Sequence, residues 1–132
     1  MAKAKVLQGC TITMPKMVLC LNQQEYDQVM KEVNSYSSVY LPKSKNACVR
    51  IFDDPEGNEL FIICLDAAKD VTVMDMVGLI VHETVHVFQS KCANMGEDHP
   101  SSEFQAYGIQ NLFLTILEAY LEKKGGSVKL CI

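Results

Sequence analysis

The chain has 132 residues, 48% of them hydrophobic, and a formal net charge of -4. That length and apolar content suit one compact domain over residues 1–132 and exclude a two-lobed protease. The lysines are scattered rather than gathered into a basic stripe, which sets nucleic acid aside as a partner. No stretch reads as an export signal or a membrane span, so a cytoplasmic chain without a membrane partner is expected.

In chain order, Met17-Val18-Leu19-Cys20-Leu21 is an apolar run of strand length. Asn22 and Glu25 then stand at capping-box spacing, and Tyr26, Val29, Met30 and Val33 recur at helical intervals, so a strand followed by a helix is predicted. Residues 35–46 are polar, contain Pro42, and run about as long as an unstructured connection does without a function, which marks a candidate functional loop. Cys48 to Phe52 and Leu60 to Leu65 flank the turn-forming stretch 53–58 and should pair as an antiparallel hairpin; the second strand is apolar throughout and should be buried on both faces.

Thr72 and Asp75 have the spacing of another helix start, and the helical pattern continues to about Ala93, with Gly96 as its stop signal. Pro100-Ser101-Ser102-Glu103 opens a last helix with Ser101 or Ser102 as cap, and Gly125-Gly126 closes it. These elements predict an α+β fold with a small, mainly antiparallel sheet of about three strands packed against three helices. Six cysteines, at positions 10, 20, 48, 64, 92 and 131, show no C-x-x-C pair and sit mostly in apolar runs. They read as buried reduced thiols rather than as a disulfide framework.

The chemistry concentrates in His82-Glu83-Thr84-Val85-His86. Two histidines four residues apart on a helix share one face, so their imidazole nitrogens can converge on one ion. The same face holds Asp75, Gly78, Gln89 and Ala93, whereas Val73, Met76, Val77, Ile80, Thr84, Val87 and Phe88 form the apolar back that should face the core. Gly78, a mid-helix glycine one turn before His82, costs about 1 kcal/mol relative to alanine and suggests a close approach there. The bland reading makes the histidines polar residues of an amphipathic helix. All three histidines of the chain lie within eighteen residues, and Glu83 stands between the pair, which favours a metal.

A zinc site needs at least a third protein ligand. Glu103 is the leading candidate, on a helix that can fold back antiparallel after the turn; it shares a face with Tyr107 and Gln110. As a plain first-turn carboxylate it would simply complement the helix dipole. His99 and Asp98 compete for the position, with His99 read first as a surface or substrate-side residue.

His82 to His86 followed by Glu103-Phe104-Gln105-Ala106-Tyr107 resembles the gluzincin arrangement. The runs 82–89 and 96–110 are similar to small zincin-like metallopeptidases encoded by phages and prophages. The resemblance covers residues 72–124 and departs from the pattern in two places: the gap between His86 and Glu103 is short, and position 107 is tyrosine where thermolysin-like enzymes carry aspartate. It implies a minimal zincin-like fold with one Zn2+ held by His82, His86 and Glu103. It further implies Glu83 as general base and acid, a peptide or protein substrate, and an edge strand, expected at 59–65, that pairs with the extended peptide. Tyr107 would stabilise the oxyanion or support a histidine, unless it is a partly buried helix tyrosine.

Two other readings stand beside this one. In the first, a zincin-like protein binds zinc for a protein partner without hydrolysis, although such a site does not need Glu83. The second is a metal-free helical module that docks a partner on Ile109, Leu112, Phe113, Ile116, Leu117, Tyr120 and Leu121, a stripe that more often forms a core face.

Overall fold

A computed structural model of the chain describes residues 6–7, 15–35, 40–42, 45–53, 59–66 and 71–124. The elements are β1 (Val6–Leu7), β2 (Lys16–Cys20), α1 (Gln23–Glu32), β3 (Ala47–Asp53), β4 (Glu59–Leu65), α2 (Val73–Asn94) and α3 (Ser102–Lys123). The sheet order is β1-β2-β4-β3. The predicted hairpin pairs β3 with β4 antiparallel, β1 pairs antiparallel with β2, and the central pair β2–β4 is parallel. The class is therefore α+β as expected, with the short β1 added to the three strands read from the sequence.

Strand alternation splits the core into two layers. Met17 and Leu19 of β2 and Phe61, Ile63 and Leu65 of β4 pack against Met76, Ile80, Val87 and Phe88 of α2 and Leu112 and Ile116 of α3. Val18 and Cys20 with Leu60, Ile62 and Cys64 face the opposite way, onto Tyr26, Val29 and Met30 of α1. Helices on both faces bury β4 completely from Leu60 on, which is why its sequence is an unbroken apolar run. Burial on both faces and pairing on both sides make β4 a central strand, so the expectation that residues 59–65 form an edge is corrected: among the described residues β3 is the edge on that flank. Ile109, Phe113, Leu117 and Tyr120 of α3 pack against the core, as an ordinary core face does.

The helix starts follow the local chemistry. Asn22, Thr72 and Ser101 accept hydrogen bonds from the backbone N–H groups of Glu25, Asp75 and Phe104. Gly96, at φ 73°, takes the left-handed position after α2, with Glu97 N–H bonded to Cys92 O at 2.9 Å and Gly96 N–H to Ala93 O at 3.1 Å. Residues 125–132, including the expected closing glycines, and the hairpin turn 54–58 lie outside the described residues, as do Cys10 and Cys131.

Two long-range polar ties hold the layers. Tyr40, from the stretch read as a functional loop, is buried; its hydroxyl accepts from Leu65 N–H at 2.8 Å and faces the carbonyls of Leu65 and Cys20, pinning the ends of the two parallel strands. Lys123, in the last turn of α3, donates to Leu19 O at 2.7 Å and to both carboxylate oxygens of Glu25 at 2.8 and 2.9 Å.

Candidate metal centre

Helix α2 turns its apolar back to the sheet, with Met76, Ile80, Thr84, Val87 and Phe88 buried, and so presents His82 and His86 on the other side, both exposed. Val73, expected in the apolar back, is an exception at 62% exposure because it opens the helix beyond the edge of the core. The two histidine Nε2 atoms are 3.1 Å apart, with ring planes 74° to one another. Left to themselves, two facing Nε2 atoms require one to carry the proton and the other to accept it. Two nitrogens held tetrahedrally by one zinc at 2.0–2.1 Å stand about 3.3 Å apart. The observed convergence fits a two-point chelate, and neutral imidazole is the right donor type for zinc.

The pair opens on a cavity of about 870 Å³ between α2 and the edge strand β3. Its helix wall includes Asp75, Gly78, His82, Glu83 and His86; its other wall comprises Lys45 and Asn46 with Cys48, Val49 and Ile51 of β3. Glu83 is only 4% exposed, and burial raises its pKa above the ordinary carboxylate value against the opposing pull of His82, His86 and Lys45. Among the described residues no hydrogen bond reaches its carboxylate, which leaves both oxygens able to accept a proton. The buried Thr84 hydroxyl, in contrast, donates to Ile80 O at 2.7 Å within the helix.

Gly78 lies in the cleft wall one turn before His82, but no atom of the described residues stands within 4 Å of where its Cβ would be. The missing side chain enlarges the cleft, and the close approach expected at Gly78 is not made by any described residue. Close approach occurs instead at Gly108 of α3, where a Cβ would lie 2.5 Å from the ring of Phe88, and Phe104 stacks beside that ring at 6.0 Å.

The remaining predicted residues stand apart from this cleft. Glu103 occupies the exposed first turn of α3, Tyr107 is 61% exposed, and neither borders the cavity; His99 and Asp98 are exposed in the connection between α2 and α3. Among the described residues, no three His, Cys, Asp or Glu side chains are gathered so as to hold a metal ion. Tyr107 is also not the partly buried helix tyrosine of the bland reading. Lys45 and Asn46 come from the stretch read as a candidate functional loop, whereas sequence reasoning missed Val49 and Ile51 as cleft residues. A usable signal was present, since a strand buried on both faces has to be central and leaves its hairpin partner as the edge.

No family model matches the chain, and no curated protein or solved structure matches it. Among the described residues no helix is long and apolar enough to cross a membrane.

Proposed function

We propose that the chain is a zinc-dependent metallopeptidase acting on an extended peptide in the cleft between α2 and β3. The observation that carries this reading is the convergence of His82 and His86 Nε2 atoms at 3.1 Å, on the same cleft that the buried Glu83 lines. His82 and His86 would hold the zinc, with Glu103 as third ligand on the strength of the resemblance and of its exposure at the start of a helix packed along α2. When bound, zinc supplies Lewis acidity, which makes a water acidic near neutral pH and polarises a carbonyl.

Glu83 would accept the proton of that water and hand it to the leaving amine. The outer edge of β3 would hold the peptide extended through backbone hydrogen bonds, with alternate side chains turned towards α2. Tyr107, if α3 brings it towards a bound substrate, would donate to the oxyanion.

Metal analysis of protein purified without chelators tests the reading. About one zinc per chain is expected, lost in His82→Ala and in His86→Ala and kept in Glu83→Gln, which should no longer cleave peptides. Failure to retain or take up more than about a tenth of an equivalent would overturn it. A second reading, zinc binding for a protein partner without hydrolysis, draws on the position of Glu103 and Tyr107 outside the cleft. Under it Glu83→Gln would leave the cellular phenotype unchanged.

A further inference from the structure

Three of the cysteines line up across the sheet. Cys20 of β2 is register partner to Cys64 of β4, and Cys64 is register partner to Cys48 of β3. All three belong to the layer that faces α1. Cys20 and Cys64 are fully buried, whereas Cys48 is half-buried on the outer strand β3.

The geometry points to Cys48 and Cys64 as a paired-thiol oxidation site at which a hydroperoxide closes a disulfide between β3 and β4. Residues directly opposite on antiparallel strands have Cα atoms about 4.5 or 5.5 Å apart, according to their place in the ladder. Both spacings fall in the range of about 4.4–6.8 Å that a disulfide requires. Arg50 stands two residues along the same face of β3 from Cys48. The neighbouring Cys64 thiol and the Arg50 guanidinium hold the Cys48 thiol below its ordinary value against the opposing effect of burial, whereas burial pushes Cys20 up to about 12. Cys48 is therefore the attacking thiolate, and Cys64, out of reach of solvent oxidants, resolves it.

The steps balance. The Cys48 thiolate attacks one peroxide oxygen, the O–O bond breaks, and with one proton taken up the products are Cys48 sulfenic acid and water, or an alcohol from an organic hydroperoxide. The Cys64 thiol then attacks the Cys48 sulfur, an S–S bond replaces the S–O bond, and the displaced hydroxide leaves as water with the thiol's proton. In all, two thiols are oxidised by two electrons and one peroxide is reduced. Nothing in this chemistry depends on zinc or on peptide hydrolysis.

Peptide mapping of the full chain after graded hydrogen peroxide and alkylation tests it. Trypsin cuts after Lys45, Arg50 and Lys69, so Cys48 and Cys64 fall in separate peptides, 46–50 and 51–69. The expected product is those two peptides joined, separated again by dithiothreitol, and absent from Cys48→Ser and Cys64→Ser. In Cys64→Ser, dimedone should label Cys48. In the untreated native chain, iodoacetamide should modify Cys48 about tenfold faster than Cys20 or Cys64, a readout that needs no variant to fold. A link between Cys64 and Cys20, equal alkylation rates, or full alkylation of Cys48 and Cys64 after other cysteines have oxidised would overturn the assignment.

Discussion

Glu25 and Glu83 are buried to the same degree, 5% and 4% exposed, on opposite sides of the sheet, and their surroundings differ completely. Glu25 accepts from Leu21 N–H at 2.9 Å and from Lys123 Nζ on both oxygens, so its charge is matched by a cation and by hydrogen bonds. Glu83 has His82, His86 and Lys45 near it but no hydrogen bond among the described residues, and burial raises its pKa. A carboxylate buried and fully partnered stabilises the native state only while it keeps its partners; one that lines a cleft without them is kept ready for a proton. The first is a structural tie, and the second has the character of a catalytic group.

The largest expected effect falls on the second carboxylate. Glu83→Gln should lower peptide hydrolysis by about 10²- to 10⁴-fold, measured as kcat/KM, with zinc content unchanged and thermal stability equal or higher. The pH dependence of that stability sharpens the contrast. The Glu83 pKa is raised on folding, so the native state is favoured in acid and loses ground as pH rises from the unfolded to the folded value. In metal-free protein, the gain in Tm from Glu83→Gln should therefore be present above that window and vanish below it.

The matching change on the other side should act in reverse. Glu25→Gln leaves Lys123 without its counter-charge and should cost about 3 kcal/mol in denaturant unfolding, with zinc binding untouched. A loss of zinc in that variant would break the distinction between the two carboxylates.

Two helix glycines extend the comparison with smaller effects. Gly108→Ala drives a methyl group against Phe88 and should destabilise by about 1–3 kcal/mol. Gly78→Ala adds a methyl group to open space and should stabilise by about 0.5–1 kcal/mol, read in the same unfolding assay.

These contrasts also mark where the sequence was legible. Caps at Asn22, Thr72 and Ser101 were readable because the side chain and the N–H it accepts are three residues apart, and the histidine pair because one turn of helix brings the two together. The unbroken apolar run of β4 announced burial on both faces, yet its consequence, a central strand with β3 as the edge, was not drawn from it. The parallel pairing of β2 with β4 and the tie between residues 25 and 123 depend on contacts between distant segments, to which local periodicity is blind. The two glycines look alike in sequence, and only the packing of α2 on α3 decides that Gly108 is crowded while Gly78 is open. Tyr40 sat in a polar stretch whose composition gave no hint that its hydroxyl joins two strand ends.

The tie at Lys123 also bears on the order of events during synthesis. The lysine lies 98 residues after the glutamate it neutralises, in the last turn of α3. While the ribosome is still making α3, β2 and α1 can meet, but the Glu25 carboxylate has no cation to accompany it into the core. A nascent chain stalled before residue 123 would hold that helix loosely, open to chaperones and proteases, and emergence of the final helical turn would lock it.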